Sequence, residues 1–166
     1  MKVPIIPDNE TERLCSLYNL AILDTAPEQR YDYIPEKVKS YFNVPIALIS
    51  LVDCERQWFK SSQGLDATET SREISFCGHA INQNGVYMVN DTFEDERFSD
   101  NPLVIGEPFI RFYAGAPIKS DEGYSIGTLC IIDTSPRILT ENDQVLLREF
   151  ADMVERELNV PDETRN

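Results

Sequence analysis

The chain has 166 residues, a length at which one domain buries about 70% of the surface of its unfolded chain, so a single compact unit is expected. Its composition, 42% hydrophobic and 27% charged, is that of an ordinary globular protein. The net charge of −14, without any cationic stripe, excludes nucleic acid and an anionic membrane surface as expected partners.

The two ends of the chain are predicted to be tails. Residues 1–8 are predicted as an N-terminal tail, residues 9–159 as one domain, and residues 160–166 as a C-terminal tail or the start of a linker to an output domain. The first eight residues are too few, and too often interrupted by proline, for a signal peptide. The longest apolar run is much shorter than the length needed to span a membrane. The four cysteines are widely separated and form no CxxC pair, which favours reduced thiols and a cytoplasmic protein.

Two helices are predicted before the first strand. Asn9 or Thr11 can cap the first helix, which is expected to end near residues 23–24. Thr25 is the predicted N-cap of the second helix. Pro35 lies inside this second pattern and predicts a kink or a late helix start.

Strands follow the second helix. Residues 46–52 form a nearly continuous apolar run, typical of a central strand, and residues 56–61 are its predicted hairpin partner. Residues 86–89 form a short strand, and residues 111–118 and 124–132 form another hairpin. These short strand-to-strand links predict an antiparallel α+β domain.

The last helix has the clearest signals. Thr140 is its predicted cap, with an acid three residues later as in a capping box. Its apolar stripe, Leu147, Phe150, Val154 and Leu158, suits packing against the core.

No sequence motif identifies a reaction, so the chain is predicted not to be an enzyme. P-loop, GxGxxG, HExxH and GxSxG patterns are missing from the sequence, and His79 is its only histidine. No metal site is predicted, and the cofactor, if any, is unknown.

Three segments are candidates for a site. Ser75 is a plausible cap for a short helix that contains Cys77 and His79. Cys77 is either a redox-active or nucleophilic thiol, with His79 as base or as an axial ligand of a haem-like group, or both are buried structural residues. Against the catalytic interpretation, residues two apart on a helix do not face each other.

The second candidate segment runs from Asp91 to Pro102. It is either the wall of a pocket that presents Arg97 or Asn101 to a ligand, or a loop stabilised by its own hydrogen bonds.

The third candidate segment is the strand over residues 111–118. Alternation places Arg111, Tyr113 and Gly115 on one face, a reasonable floor for a ligand, unless Arg111 simply pairs with an acid. Thr128 and Cys130 would offer small polar groups from the neighbouring strand. Trp58 and Phe59 point to opposite faces, so only one of them can line a pocket.

With these segments in order, the chain resembles the GAF domains found at the N-terminus of bacterial diguanylate cyclases and sensor histidine kinases. The resemblance covers about residues 13–158 and is carried by residues 21–25 (AILDT), 45–53 (PIALISLVD), 56–61 (RQWFKS), 74–81 (ISFCGHAI), 95–102, 111–117 (RFYAGAP) and 127–133 (GTLCIID). It implies an antiparallel sheet of five or six strands with the terminal helices on one face. A ligand pocket is implied on the other face, roofed by the connections between residues 66 and 109.

The resemblance also implies a function. GAF domains commonly sense a small molecule, pair as homodimers through their terminal helices and control an output domain. The sequence lacks the NKFDE-type motif of cyclic-nucleotide-binding relatives and the Cys-His pair of bilin-binding relatives. We therefore expect a sensory module for an unidentified ligand, with a thiol-dependent redox enzyme or sensor using Cys77 and a ligand-free dimerisation module as alternatives. The expected ligand-binding residues are Trp58, Phe76, Cys77, His79, Asp91, Arg97, Asn101, Arg111, Tyr113 and Thr128.

Overall fold

The computed structural model describes residues 1–160, so nearly all of the predicted C-terminal segment, residues 161–166, lies outside the described residues. The helices are α1 (Glu10–Asn19), α2 (Gln29–Phe42), α3 (Phe76–Ala80), α4 (Pro102–Ile105) and α5 (Glu141–Leu158). The strands are β1 (Ile46–Val52), β2 (Arg56–Gln63), β3 (Glu69–Ser71), β4 (Tyr87–Val89), β5 (Phe112–Lys119) and β6 (Ser125–Asp133). No helix within residues 1–160 is long and apolar enough to cross a membrane.

The six strands form one antiparallel sheet in the order β3-β2-β1-β6-β5-β4. This confirms the predicted α+β class and the antiparallel sheet. The central strand β1 is buried along its whole length, as its continuous apolar run predicts. β3 has only the residues Glu-Thr-Ser and pairs at the edge with β2, and such a short polar strand carries no hydrophobic alternation by which it could be predicted.

The long helices α1, α2 and α5 cover one face of the sheet. A buried cluster joins Leu17 of α1, Ile34 of α2 and Leu147 of α5 to strand residues such as Ile49 and Leu129. Leu147, Val154 and Leu158 are fully buried, so the stripe of α5 packs against the core as predicted. The Thr140–Asp143 capping box begins this helix.

The opposite face of the sheet is covered by the short helices α3 and α4 and the irregular connections. A second buried cluster there includes Leu48, Phe76, Phe98, Tyr113 and Cys130. Because side chains alternate along each strand, the sheet separates these two clusters.

Both N-terminal helix boundaries differ from the predicted ones. α1 ends at Asn19 because Ala21 and Asp24 have φ values of 50° and 62°, outside the right-handed helical region. α2 starts late, at Gln29, and Pro35 is accommodated inside it. Thr25 is not its cap; the Thr25 hydroxyl instead donates to Ile22 O and accepts from Lys60 Nζ.

Residues 1–8 precede α1 without regular secondary structure but pack against α3. Pro4 is buried, and its ring lies close to Gly78. The Lys2 N–H donates to Arg97 O, and the Lys2 carbonyl accepts from His79 Nε2 at 3.1 Å. Part of the predicted tail therefore covers the short helix α3.

Candidate functional site

A cavity of about 490 Å³ lies between the sheet and the connections on the face opposite the long helices. Its walls come from five strands, the short helices α3 and α4, and two irregular connections: Leu48, Gln57, Phe59, Gly64, Leu65, Asp66, Ala67, Thr70, Phe76, Cys77, Leu103, Glu107, Pro108, Phe109, Ile110, Tyr113, Cys130 and Ile132. Its volume falls in the range of about 300–1,000 Å³ that is typical of small-molecule sites.

The floor of the cavity follows from strand alternation. Leu48, Tyr113 and Cys130 point to the same face of β1, β5 and β6, while their sequence neighbours point into the helix-side cluster. On β2 the same alternation directs Phe59 toward the cavity and Trp58 toward the helix-side cluster.

A group of buried hydroxyls and thiols lies at the floor. The Cys77 Sγ atom is 3.0 Å from Thr128 Oγ1 and 3.2 Å from Tyr113 Oη. The Cys130 thiol is a neighbour of the Cys77 thiol, and each affects the pKa of the other. The Tyr113 hydroxyl can reach this group because Gly115 has no side chain; a Cβ there would lie 2.3 Å from the hydroxyl oxygen.

These contacts separate the two thiols chemically. Burial acts to raise the pKa of Cys77, but hydrogen bonds from Cys130, Ser50, Thr128 and Tyr113 outweigh it and lower the pKa to about 7. Burial, together with the neighbouring Cys77, raises the pKa of Cys130 well above its ordinary value. Cys77 is therefore the thiol that ionises first.

The roof is held by side-chain caps of the short helices. Ser75 accepts from Gly78 N at 3.0 Å and so begins α3, as predicted. Asn101 accepts from Leu103 N to begin α4 and donates to Ile74 O at 3.1 Å. Asn101 thus links α4 to the turn that precedes α3 and does not itself line the cavity.

Of the ten residues expected to bind a ligand, three line the cavity: Phe76, Cys77 and Tyr113. Thr128 lies directly behind them, in contact with Cys77.

Trp58 is placed differently from the prediction. Trp58 is buried in the helix-side cluster, and Phe59 lines the cavity in its place. Trp58 therefore does not fill the cavity, although the hypothesis of a ligand-free module would be supported if it did.

Arg111 also does not reach the cavity, which corrects the expectation that it lies on the pocket face. Its guanidinium pairs with Asp91 at 3.0 Å and lies 3.6 Å from the centre of the Phe93 ring. Arg111 precedes the first residue of β5, so strand alternation does not fix its direction. The alternative interpretation of Arg111, that it pairs with an acid, agrees with the structure, and Asp91 is that acid.

His79 and Arg97 lie on the outer side of α3. The ring of His79 packs 4.9 Å from that of Phe98, centre to centre, and its Nε2 bonds to Lys2 instead of Cys77. Arg97 pairs with Asp95 and lies 5.3 Å from the centre of the Tyr87 ring. The approach of His79 to Cys77 that a catalytic pair needs is therefore not made, whereas a second cysteine, Cys130, is a neighbour of Cys77.

Sequence reasoning missed most of the apolar wall, including Leu48, Leu65, Leu103 and Phe109. Leu48 has a signal, because it shares a face with Ser50 in a strand that was predicted correctly. Leu65, Leu103 and Phe109 lie in irregular connections where no periodicity indicates direction. Within the described residues no group of three or more His, Cys, Asp or Glu side chains is placed to hold a metal ion.

The chain is similar to known proteins in both sequence and structure. The family model described as GAF domain matches residues 26–158. A cyclic di-GMP phosphodiesterase of Pseudomonas aeruginosa is 46% identical over 155 residues, which are 93% of this chain and 26% of that protein, so the chain spans about a quarter of its curated relative.

Solved structures share the fold at lower sequence identity. The GAF domain of an Acinetobacter phosphoenolpyruvate-protein phosphotransferase superposes with a TM-score of 0.64 at 16% identity, covering 89% of this chain and 92% of that one. The free methionine-R-sulfoxide reductase of Neisseria meningitidis, in complex with its substrate, gives a TM-score of 0.64 at 19% identity and 95% coverage of both chains.

Proposed function

The chain belongs to the GAF domain family, and from this premise we propose that it is a sensory module that binds a small molecule in the cavity and regulates an output domain. The observation that supports this most is the cavity of about 490 Å³ on the face opposite the long helices. Its size and its apolar walls are those of a small-molecule site.

The proposed output is an enzyme of cyclic di-GMP metabolism or a histidine kinase, in the same polypeptide or in a partner. The similarity to part of a cyclic di-GMP phosphodiesterase supports the first of these. The module itself acts by binding and not by catalysis. In support, the one histidine of the chain bonds to Lys2 and not to the cavity thiol.

Native mass spectrometry of the protein as purified from cells, followed by a thermal-shift screen of small molecules, tests ligand binding. We expect a retained mass or a ligand-specific rise in Tm. The variant Leu65→Trp, which places a larger side chain in the cavity wall, should abolish the shift. A shift that survives in Leu65→Trp, or an empty protein that responds to no compound, would contradict the proposal.

A redox function of Cys77 is the second candidate, because Cys130 is its neighbour and the pKa of Cys77 is lowered to about 7. In this function the Cys77 thiolate attacks the O–O bond of a hydroperoxide. An S–O bond forms and an alcohol or water leaves. The Cys130 thiol then attacks the sulfenic sulfur, forming the disulfide and releasing water.

Intact-mass measurement tests this candidate. Cys15 and Cys54, the exposed cysteines, are first replaced by Ser to remove background reactions. After hydrogen peroxide, denaturation and alkylation, the protein should carry no alkyl group at Cys77 or Cys130. The matched variant Cys130→Ser should stop at a sulfenic acid. Full alkylation of both thiols after peroxide would exclude the redox function.

Two further parts of the proposal concern assembly and location. We propose a homodimer through the terminal helices, supported by Val145, an apolar residue exposed on α5. Sedimentation should give a dimer that Val145→Glu converts to a monomer; a monomeric wild-type protein would contradict the proposed dimer.

A cytoplasmic location is supported by the free state of all four cysteines.

A further inference from the structure

We propose that the cavity selects an apolar, aromatic ligand without negative charge, and that Phe109 at its mouth closes over that ligand. This inference rests on the proposed function, since it specifies the ligand of the same site. It is carried by the charges, the hydrogen bonds and the backbone of the cavity wall.

The charges of the wall exclude an anion. The charged residues that line the cavity are Asp66 and Glu107, both exposed, and no Lys, Arg or His is among the lining residues. The nearby guanidinium groups of Arg97 and Arg111 are already paired with acids and lie outside the lining. A phosphate or carboxylate in the cavity would lose its hydration without gaining a counter-charge, so a neutral or cationic ligand is favoured.

The uncharged polar side chains of the wall already have partners. Gln57 Nε2 donates to Thr70 Oγ1 at 2.7 Å, and Gln57 Oε1 accepts from Ser50 Oγ at 3.1 Å. Cys77 is bonded to Tyr113 and Thr128. A ligand with many polar groups would break these bonds to form its own, so the cavity favours a ligand with few.

Aromatic rings supply much of the remaining wall. Phe59, Phe76, Tyr113 and Phe109 all line the cavity. Phe76 is fixed by stacking on Phe98 at a centre-to-centre distance of 4.2 Å and lies tilted 5.2 Å from Tyr113. Rings held in this way offer edges and faces to an aromatic ligand.

Phe109 has a backbone conformation that a bulky residue rarely adopts. Its φ is 60°, in the left-handed region, and its side chain is 51% exposed. Such a conformation is strained for a residue with a side chain, and the exposed ring gains little from burial to offset the strain. The Phe109 N–H donates to Gly106 O at 2.7 Å, which holds the backbone of this turn, and the half-exposed ring at the cavity wall is free to close over a bound ligand.

Two fluorescent probes of nearly equal shape test the charge preference. N-phenyl-1-naphthylamine is neutral, and 8-anilinonaphthalene-1-sulfonate differs from it by one sulfonate. Titrated against the full chain, the neutral probe should bind at least about tenfold more tightly, and Leu65→Trp should abolish its binding. The variant Asp66→Lys with Glu107→Lys should narrow the difference by tightening binding of the sulfonate.

The outcomes separate this inference from the proposed function. If the sulfonate binds as tightly as the neutral probe, and Leu65→Trp abolishes both, the inference is overturned while the ligand-binding function stands. If neither probe binds in a Leu65→Trp-sensitive way and the native protein is also empty, the function itself fails.

Phe109→Gly tests the closing ring. Glycine adopts the left-handed backbone without strain, so the variant should be no less stable but should weaken binding of the neutral probe about five- to tenfold. Phe93→Ala is the matched control, because Phe93 is 55% exposed and lies outside the cavity lining. Unchanged probe affinity in Phe109→Gly would overturn the role of the ring.

Discussion

Gly115 allows the Tyr113 hydroxyl to lie against the backbone of its own strand and to reach Cys77. A side chain at residue 115 would meet three atoms of the Tyr113 ring system within 3.0 Å. The geometry of the cavity floor thus depends on one residue that contributes no atoms to it.

Gly115→Ala should lower the free energy of unfolding by about 1–3 kcal/mol, the usual cost of an overpacked core. Urea denaturation measures it. Gly85→Ala is the matched control, since nothing lies within 4 Å of a Cβ at residue 85, and it should be neutral within about 0.5 kcal/mol. Equal effects of the two substitutions would show that Tyr113 moves aside freely.

His79 should make stability depend on pH. Burial is the main cause that lowers its pKa below 6.5; the nearby Arg97 also lowers it, while Lys2 O and Asp95 oppose the shift. As pH falls through 6.5, the unfolded chain binds a proton that the folded protein resists, so stability is lost. Tyr87, whose ring centre lies 6.3 Å from that of His79, stays neutral in this range because its pKa is raised.

The unfolding free energies at pH 7.5 and 5.5, compared between the wild type and His79→Asn, check this prediction. The wild type should lose more stability on acidification than the variant. The carboxylates with lowered pKa act mainly below this window. A wild type and variant with parallel pH profiles would refute a contribution from His79.

At the scale of the elements, the N-terminal segment is the largest departure from expectation. Its predicted role as a tail follows from composition, but Pro4 is buried against α3 and two backbone groups of Lys2 are bonded. The segment is therefore expected to stabilise α3, which has only five residues and carries Cys77.

Pro4→Ala should cost about 1 kcal/mol through lost apolar contact with α3. The control is Ile5→Ala, because Ile5 is 77% exposed and should matter little. Thermal and urea unfolding give the difference, and the rate of Cys77 alkylation should rise in Pro4→Ala alone. If Ile5→Ala has the larger effect, the segment does not act through Pro4.

At the scale of the whole molecule, the sheet separates a helix-side core from the cavity. Trp58, the only tryptophan, lies on the helix side, and Phe59 lies on the cavity side. The pair of residues therefore offers a reporter for each layer.

Fluorescence of Trp58 should not respond to benzyl alcohol, a neutral aromatic probe, at concentrations that fill the cavity. In the exchanged variant Trp58→Phe with Phe59→Trp, emission should shift on the same titration, because the indole then lines the cavity. A shift of equal size in both proteins would mean that the probe also enters the helix side, or that the two layers are coupled.

Much of the fold follows from local sequence pattern. The apolar run of β1, the alternation in β5 and β6, and the capping box of α5 each act within a few residues, so their physical causes are visible in the sequence. The sheet direction follows from the short links. Alternation likewise placed Thr128 and Cys130 together on one face of their strand and predicted Tyr113 as part of a ligand floor.

The tertiary structure decided which of these faces encloses a cavity and what closes it. Leu65, Leu103 and Phe109 reach the same space from connections distant in sequence, and irregular backbone has no period from which to infer direction. The partners of Arg111 and His79 likewise depend on the tertiary structure: Arg111 pairs with Asp91, and His79 bonds to the backbone of Lys2. The sequence alone determined that the sheet has two distinct faces, because alternation is a local property of each strand. The cavity depended on contacts between residues that are distant in sequence, and no local pattern predicts such contacts.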